Sequence, residues 1–358
     1  MKASLPLVCA SCGRELAGDV GVWSCPACRR AWRETEGIIL APSSDEETYW
    51  GEIPRAAMRH LLWRARVVGP ETALLERGSR LVGRYVSSYA LDWRRALCLE
   101  LADVEASLSP VLDYGAGWGT IGLAAAAGPY PHVVLADSSR ERLAFSRLLA
   151  AERSLSGITY VATEDASQLP YGPDTFGLIV LNGVVEWLGS GRPDEALAEQ
   201  RRVLRRLWGL VRPSGVMYVG IENRFALKYL RGYPDDHSEL RYSSVMPRAL
   251  ANAYSRYRRK RPYSTVTWSL REWRRAADFL PGAELDIYVV WPDYRFPVAA
   301  CLADDSAAVQ WLYARTQGSR SRRLGRDLLC GAGVMGDLAY SFGVVIRKRA
   351  ATATGDGA

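Results

Sequence analysis

The sequence predicts an α/β fold in which a mostly parallel sheet of seven strands carries helices on both faces. Apolar segments that resemble strands alternate with segments of helical periodicity along residues 111–221. Such an alternation places consecutive strands side by side and parallel, with the connecting helices covering the sheet. The strand segments begin at Val111 and continue at 132–137, 158–162, 177–182, 216–221, 285–291 and 338–347.

A glycine-rich turn follows the first strand. Residues 111–122 read VLDYGAGWGTIG and lead into an alanine-rich helix. Glycine permits the tight turn and the close approach of backbone to a ligand, and open α/β sheets bind ligands beyond the carboxyl ends of their strands. Gly117, Gly119 and Gly122 satisfy the pattern of a dinucleotide site. Asp113 argues against that site, because an acid there would repel a pyrophosphate and suits a ligand with an ammonium group.

Polar side chains also end the next three strands. Asp137 ends the second strand, where a carboxylate can accept hydrogen bonds from two ribose hydroxyls. Asp165, beside the small Ala166, follows the third strand, and Asn182 ends the fourth. The simpler interpretation is that Asp113 and Asp137 only cap helices. Three acids at three successive strand ends favour a ligand site instead.

Residues 111–221 resemble the core of a class I S-adenosylmethionine-dependent methyltransferase, which has a Rossmann-like fold. The similar pieces are VLDYGAGWG, LAD at 135–137, EDA at 164–166, LPYGPDTFGLIVLNGVVEWL at 169–188 and LVRPSGVMYV at 210–219. Ala116 and Gly177 depart from the pattern, since many members have Cys and Asp there. The resemblance implies a cofactor site formed by Asp113, Gly115, Ala116, Gly117, Asp137, Ser138, Asp165, Ala166, Asn182 and Val184, with Tyr89 reaching in from a preceding helix.

Four cysteines near the N-terminus form two C-x-x-C pairs: Cys9, Cys12, Cys25 and Cys28. Four thiolates in two such turns can close a tetrahedral site for a structural Zn²⁺ that leaves no open coordination position. The segment is too short to bury a core, so a metal would supply much of its folding energy. The competing interpretation is a pair of disulfides. The first residues, MKASLPLV, are too short an apolar stretch for a signal peptide, which favours a reducing, cytoplasmic location.

Residues 5–42 resemble the small zinc-binding activator subunit of tRNA and release-factor methyltransferases, down to the closing Glu-Gly-Ile-Ile-Leu. The ribbon of rRNA guanine-N1 methyltransferases is also similar, although it usually has a histidine where Cys28 stands. The resemblance implies a small zinc ribbon fused ahead of a methyltransferase domain. The predicted organisation is a ribbon at 1–42, a helical linker or cap at 43–108, the methyltransferase domain at 109–350 and a disordered tail at 351–358.

A long insertion, residues 222–283, separates the fifth and sixth strands and is predicted to form a substrate lid. Methyl transfer to an oxygen or a protonated nitrogen requires removal of a proton. The candidate bases are His237, which lies beside two aspartates, and Glu222 and Glu186, which are expected at the ligand edge of the sheet. The alternative is that His237 only makes hydrogen bonds in a loop, while the glutamates orient the cofactor or pair with an arginine such as Arg224.

Composition limits the partners. The net charge of +7 is modest for 358 residues, and no apolar run reaches the about 18 residues that a membrane span needs. Basic clusters at 256–261 and 318–326 fit solvated loops or an anionic partner.

We expect methyl transfer to an oxygen or nitrogen of a small-molecule acceptor, such as a sugar-containing or natural-product scaffold. The alternatives are an rRNA or tRNA methyltransferase that binds RNA through the ribbon and basic clusters, and a non-catalytic scaffold that binds S-adenosylmethionine. The sequence does not predict an oligomeric state.

Overall fold

The computed structural model describes residues 5–19, 21–42, 51–78, 84–102, 108–190, 195–314 and 320–350. The predicted tail at 351–358 lies outside these residues, as do residues 43–50, 79–83 and 103–107 of the predicted cap. The strands are β1 (Ala17–Asp19), β2 (Val22–Ser24), β3 (Ala31–Thr35), β4 (Ile38–Leu40), β5 (Val111–Tyr114), β6 (Val133–Asp137), β7 (Ile158–Ala162), β8 (Phe176–Asn182), β9 (Val211–Glu222), β10 (Ala283–Trp291), β11 (Ala299–Leu302) and β12 (Ser341–Lys348).

Twelve α-helices and several shorter turns connect or flank these strands in the described part of the chain. The helices are α1 (Arg55–Val68), α2 (Pro70–Ala73), α3 (Arg84–Leu91), α4 (Leu97–Leu101), α5 (Thr120–Ala127), α6 (Arg140–Glu152), α7 (Ala196–Leu210), α8 (Leu227–Leu230), α9 (Arg248–Arg259), α10 (Leu270–Arg274), α11 (Ser306–Ala314) and α12 (Arg320–Gly331). None of the described helices combines the length and the apolar character needed to cross a lipid bilayer.

The predicted count of seven strands is wrong for the described residues, which form twelve. Each of the seven predicted segments contains a strand, namely β5 to β10 and β12. The additional strands are β1 to β4 in the N-terminal segment and β11 near the C-terminus. Three of the five additional strands have only three residues, which is too short for a periodic pattern of side chains to be recognised.

The chain divides into two compact units. The first unit holds the described parts of residues 1–181, 206–217 and 348–358, and the second holds 182–205 and 218–347 as far as they are described. Helix α7 and strands β8, β9 and β12 each contribute residues to both units.

The first unit is built on a parallel sheet. Its strand order is β1-β2-β3-β4-β7-β6-β5-β8, and β7, β6, β5 and β8 are all parallel to their neighbours. Every residue of β5, β6 and β8 is buried, as expected for strands that are covered on both faces. This part of the chain is therefore a mixed α/β structure with a parallel core, in agreement with the predicted class.

The N-terminal segment of the first unit extends that sheet. Strands β1 to β4 are antiparallel to one another, but β4 pairs in parallel with β7, with Ile38 opposite Tyr160. Two further hydrogen bonds fix the segment: the Trp32 indole N–H donates to the Gln168 carbonyl at 3.0 Å, and the Val8 N–H donates to the Pro170 carbonyl at 2.9 Å. The segment is thus joined to the sheet through backbone pairing.

The second unit contains the remaining strands and most of the predicted insertion. Strands β10 and β11 are antiparallel, with Val289 opposite Cys301. Residues 222–283 fold into α8, α9 and α10 with connecting turns, and Trp268 and Trp273 are buried with ring centroids 4.6 Å apart. The segment has its own packed side chains, and its role as a substrate lid stays a prediction.

Candidate active site

The glycine-rich turn lies between β5 and α5, as predicted. The N–H groups of Gly115 and Ala116 both donate to the Ala136 carbonyl, at 2.8 and 3.0 Å. Gly119 has a positive φ of 79°, and a Cβ there would lie 2.9 Å from the Leu135 side chain. A glycine is required because the turn packs directly against β6, in a conformation that other residues rarely adopt.

The two acids nearest the turn hold its backbone. Asp113, the third residue of β5, accepts a hydrogen bond from the Gly122 N–H at 2.9 Å. Asp137 accepts hydrogen bonds from the N–H groups of Gly117, at 2.7 Å, and Ser139, at 2.8 Å. These are the capping contacts of the simpler interpretation. Since each carboxylate oxygen has two lone pairs, they leave acceptor capacity for a ligand, and the cofactor role of both acids stays a prediction.

Burial changes the ionisation of Asp113. The side chain is almost fully buried, which raises its pKa to about 7, while the Gly122 N–H acts in the opposite direction. Burial therefore favours the uncharged form of Asp113. A bound cation beside it would favour its ionised form.

Three other predicted cofactor residues also lie in loops at the carboxyl ends of strands. Ser138 follows β6 and is half-buried. The Asp165 carboxylate accepts hydrogen bonds from both the N–H and the hydroxyl of Ser167, at 2.8 and 2.7 Å, and so caps a short turn that begins at the buried Ala166. These contacts do not test whether Ser138, Asp165 and Ala166 bind the cofactor.

Tyr89 lies on α3, whose backbone contacts the start of α5. The Thr120 hydroxyl lies 3.0 Å from the carbonyl oxygens of both Tyr89 and Ala90. The Tyr89 ring stacks under the Arg95 guanidinium at 3.7 Å. The helix is therefore anchored beside the glycine-rich turn, while the tyrosine ring has a cation–π partner of its own.

Two predicted cofactor residues, Asn182 and Val184, belong to the second unit. Asn182 is 7% exposed, and its side-chain Nδ2 has no hydrogen-bond partner among the described residues. A Cβ at Gly220 would overlap the Asn182 side-chain oxygen, so glycine at that position makes room for the amide. Val184 is half-buried and precedes the short turn Val185–Trp187. A buried amide donor without a partner is costly, and a ligand would satisfy it.

The structure brings the three candidate bases together in the second unit. Glu186 and Glu222 are each 1% exposed, and the His237 side chain is 5% exposed. The His237 Nε2 lies 3.4 Å from the Glu222 Oε2, and ligand-type atoms of all three residues lie within 4.8 Å of one another. The Tyr294 hydroxyl joins them, 3.1 Å from the Glu222 Oε1 and 3.2 Å from the Glu186 Oε1. We call Glu186, Glu222, His237 and Tyr294 the acid–histidine cluster.

Charge determines where the protons lie in this cluster. Burial by itself lowers the pKa of His237, but the neighbouring carboxylates, Glu222 first and then Glu186 and Asp235, together outweigh burial and raise it. For Glu222, burial raises the pKa, but the His237 cation, followed by Arg295, works against burial and the pKa falls. The pKa of Glu186 is raised by burial and then by the negative charge of Glu222. The favoured state near neutral pH is an ionised Glu222–His237 pair beside an uncharged Glu186, so the buried cluster is neutral overall.

The Tyr294 hydroxyl fits this arrangement. A phenol has one proton to donate, so it can donate to only one of two carboxylates. If Tyr294 donates to Glu222, a protonated Glu186 can donate to the phenol oxygen in turn. The contacts then form a chain of hydrogen bonds from Glu186 through Tyr294 to Glu222, and on to the His237 cation.

Backbone contacts hold His237 in place. The Asp235 carboxylate accepts hydrogen bonds from the N–H groups of His237 and Ser238, at 3.0 and 2.7 Å, and from the Tyr263 hydroxyl at 3.1 Å. The His237 ring meets the Trp187 ring edge to face, with centroids 4.7 Å apart. His237 is therefore held in place within the cluster, and its role as a base stays a prediction.

Sequence reasoning missed Tyr294 as a member of the site. It lies in the segment Pro292–Pro297, after β10 and 72 residues beyond Glu222, and no periodic pattern connects the two. The signal that was available is Gly183, where a Cβ would lie 2.9 Å from the Tyr294 hydroxyl. A glycine directly after β8 indicates that another part of the chain approaches the backbone closely there. The sequence does not show which side chain that is.

The four N-terminal cysteines also lie together, and none is in a disulfide. Their sulfur atoms lie within 4.8 Å of one another, with the Cys12 and Cys25 sulfurs 3.4 Å apart. The Cys28 N–H donates to the Cys25 sulfur at 3.3 Å and is the main cause of a lowered pKa of Cys25, about 6. We call Cys9, Cys12, Cys25 and Cys28 the cysteine cluster.

The two C-x-x-C turns have the same backbone. The Cys9 N–H donates to the Arg14 carbonyl and the Cys9 carbonyl accepts from Gly13; Cys25 makes the equivalent bonds with Arg30 and Arg29, all at 2.8 to 2.9 Å. Four convergent thiols with N–H donors near a sulfur are the donor set of a structural zinc site.

One segment of the chain matches a known protein family. Residues 111–206 match the family model described as a methyltransferase domain. The match begins at β5, covers the glycine-rich turn, Asp137, Asp165, Asn182 and Glu186, and ends within α7. The matched segment therefore includes the predicted strand-end residues and one member of the acid–histidine cluster. No curated protein matches the chain.

Solved structures give weaker similarities. The YcgJ protein from Bacillus subtilis is 17% identical, with a TM-score of 0.40, covering 72% of this chain and 98% of its own. A putative sarcosine dimethylglycine methyltransferase from Galdieria sulphuraria is 15% identical, with a TM-score of 0.41 and coverage of 74% and 88%. A chain from the complex of the Haloferax volcanii Trm112 methyltransferase activator with a putative methyltransferase is 14% identical, with a TM-score of 0.40 and coverage of 80% and 97%. Scores of this size do not establish a shared fold.

Proposed function

We propose that the protein is an S-adenosylmethionine-dependent methyltransferase that methylates an oxygen or nitrogen atom of a small-molecule acceptor. The observation that carries the proposal is the match of residues 111–206 to a methyltransferase domain. The turn after β5 and the polar residues at the carboxyl ends of β6, β7 and β8 support it, because ligands of open α/β sheets bind at such ends.

The residues present fit the cofactor. The Asn182 side-chain Nδ2 is a buried donor with no partner among the described residues, and the half-buried Asp165 lies beside a fully buried Ala166. In our proposal Asp137 binds the ribose hydroxyls, Asp165 the adenine amino group and Asp113 the ammonium group. When bound, the cofactor supplies an activated methyl group, and the protein supplies the binding site and the removal of a proton.

Within the acid–histidine cluster, we assign the proton-accepting role to Glu186. The His237 pKa is raised, so its imidazole already carries a proton near neutral pH and is not free to accept another. Burial and the charge of Glu222 raise the Glu186 pKa to about 8, so only a minor fraction of Glu186 is ionised at neutral pH. That fraction is the one that accepts the proton, and it grows as the pH rises towards 8. Glu222 and His237 then act as positioning residues, and Tyr294 connects them to Glu186 through its hydroxyl.

The cysteine cluster has a structural role in this proposal. Four thiolates would complete the coordination of Zn²⁺ and leave no position for a substrate or water. The segment is anchored to the parallel sheet through β4 and the Trp32 hydrogen bond. The metal would therefore stabilise the N-terminal end of the sheet in the first unit, without taking part in methyl transfer.

Titration calorimetry with S-adenosylhomocysteine tests cofactor binding. We expect the wild-type protein to bind it, and Asp137→Ala to lose binding by about tenfold or more, because two charge-assisted hydrogen bonds are lost. Asp174→Ala is the matched control, since Asp174 forms an ion pair with Lys348 and has no predicted role in the site. The proposal fails if the folded wild-type protein gives no heat with either S-adenosylmethionine or S-adenosylhomocysteine.

A labelling experiment tests the acceptor class. The wild-type protein and Glu186→Gln are incubated with S-adenosylmethionine carrying a radioactive methyl group, and with either a small-metabolite fraction or an RNA fraction from cells. We expect label in the small-metabolite fraction, and much less with Glu186→Gln. Label in RNA alone would favour the RNA methyltransferase. Binding of the cofactor with no labelling of either fraction would favour the non-catalytic scaffold.

A further inference from the structure

The second unit contains a concave cavity of about 800 Å³ whose wall is rich in arginine. Among the described residues, its lining includes Arg201, Arg205, Arg224, Arg248 and Arg275, but only two carboxylates, Glu272 and Asp278. The lining therefore carries an excess of positive charge. We call this space the arginine cavity. Its volume lies within the range of small-molecule pockets, about 300–1,000 Å³.

Two of these arginines lie side by side on one helix. Arg201 and Arg205 are one turn apart on α7, and both guanidinium groups lie over the Phe279 ring, at 5.6 and 5.5 Å from its centroid. Among the described residues, neither has a carboxylate within ion-pair distance, and the same holds for Arg275. Like charges at this helical spacing destabilise a helix unless an anion lies between them.

Two other arginines are held in fixed orientations by backbone carbonyls. Arg224 donates to the carbonyls of Ser244 and Met246, both at 3.2 Å. Arg248 donates to the carbonyls of Thr265 and Tyr263, at 2.7 and 3.1 Å. These bonds do not neutralise the guanidinium charge. They orient it before a ligand arrives, which lowers the entropy cost of binding.

The acid nearest to Arg224 is already engaged. The Glu272 Oε2 accepts hydrogen bonds from the N–H and the hydroxyl of Ser269, both at 2.7 Å, in a capping box at the start of α10. Its other oxygen lies 3.6 Å from the Arg224 guanidinium, beyond good hydrogen-bond distance. Glu272 therefore lowers the positive charge of the arginine cavity only in part.

Buried hydrogen bonds connect the arginine cavity to the acid–histidine cluster. The Gln200 side chain donates to the carbonyls of Val185, which precedes Glu186, and Val266, which lines the cavity, both at 2.8 Å. It also accepts from the indole N–H of Trp268, another lining residue, at 2.7 Å. On the other side, Tyr263 in the lining donates to Asp235, which holds the His237 backbone.

We propose that the arginine cavity binds the phosphate group of a small organic ligand, and, resting on the proposed function, that this ligand is the methyl acceptor. A phosphate carries up to two negative charges and several acceptor oxygens, so it can bind several guanidinium groups at once. A single carboxylate can bind fewer of them. The ring of Phe279 and the indole of Trp268 offer flat apolar surface to the rest of the ligand.

Calorimetric titration with inorganic pyrophosphate tests this site directly. We expect the wild-type protein to bind pyrophosphate, and the double variant Arg201→Gln/Arg205→Gln to bind it about tenfold or more weakly, since it loses two charge-assisted contacts. Arg202→Gln is the matched control, because Arg202 lies on the same helix, pairs with Glu199 and does not line the cavity. Tricarballylate, an anion with three carboxylates, separates phosphate recognition from simple charge attraction.

Three results would overturn the proposal: no binding of pyrophosphate to the wild-type protein, equal losses in the double variant and in Arg202→Gln, or tricarballylate binding as tightly as pyrophosphate. Titration of the same samples with S-adenosylhomocysteine separates this proposal from the proposed function. The double variant should bind S-adenosylhomocysteine as the wild type does, which also shows that it is folded. If the wild-type protein does not bind S-adenosylhomocysteine, only the proposed function is contradicted. The pyrophosphate titration then still decides whether the cavity binds phosphate.

Discussion

The imidazole of His237 and the carboxylate of Glu222 form a buried ion pair, with Nε2 and Oε2 3.4 Å apart. A pair of opposite charges in a buried environment holds its protons differently from the same groups in the unfolded chain. The stability of the protein should therefore depend on pH through this pair.

The first prediction concerns that dependence. Burial alone would lower the His237 pKa, but Glu222, together with Glu186 and Asp235, raises it from 6.5 to about 9. The folded protein thus keeps a proton that the unfolded chain releases, so this contribution to stability is complete below pH 6.5 and is lost as the pH rises through about 9. The measurement is the free energy of unfolding in urea across this range. His237→Gln should flatten the decline, whereas His60→Gln, at an exposed position, should keep the wild-type slope.

The second prediction concerns the hydroxyl of Tyr294. Tyr294→Phe removes the group that lies between Glu186 and Glu222 and leaves buried carboxyl oxygens without that partner. We expect a loss of about 1–3 kcal/mol in the free energy of unfolding. Tyr257→Phe is the control, because Tyr257 is 75% exposed and surface changes stay within about 0.5 kcal/mol. Equal stabilities of the two variants would show that the hydroxyl does not hold the cluster together.

The third prediction concerns a glycine beside Asn182. In Gly220→Ala the new methyl group would overlap the Asn182 side-chain oxygen, so the amide or the strand must shift. Overpacking of this kind costs about 1–3 kcal/mol, and S-adenosylhomocysteine binding should weaken as well if Asn182 serves the cofactor. Gly209→Ala is the opposite case: Gly209 lies in α7, and no atom of the described residues would lie within 4 Å of the new Cβ. It should stabilise the protein by about 0.5–1 kcal/mol. Thermal unfolding of both variants checks the contrast.

The fourth prediction concerns metal content. The purified protein should contain about one zinc ion per chain, held by the cysteine cluster. Cys12→Ser should lose most of the metal, whereas Cys301→Ser, outside the cluster, should retain it. Elemental analysis together with the melting temperature before and after chelation tests this. A metal-free protein with an unchanged melting temperature would contradict it.

The sequence predicts the central strands well because they follow strong local rules. The strands β5, β6 and β8 are continuous apolar runs ended by a polar residue, and each run predicts a buried parallel strand on its own. The C-x-x-C spacing likewise predicts two equivalent turns. Each of these features depends on residues that are close together in the chain.

Other features depend on residues that are distant in the sequence, and local patterns do not reveal them. The pairing of β4 with β7 joins residues about 120 positions apart, and Ile38–Leu40 is too short a run to be recognised as a strand. Sequence reasoning proposed Glu186, Glu222 and His237 as separate alternatives, but only the fold shows that they are in contact with one another and with Tyr294. The ionisation of a buried group depends on all its neighbours, so the raised His237 pKa could not be read from the two adjacent aspartates.

The parallel pairing of β4 with β7 has a consequence for self-association. Without β4, the outer side of β7 would present a row of unsatisfied main-chain donors and acceptors, which is a template for adding strands from other molecules. The N-terminal segment therefore also protects the protein against aggregation, because it covers this edge of β7. Conditions that unfold it, such as oxidation of the thiols, should make the protein precipitate before the parallel sheet loses its structure.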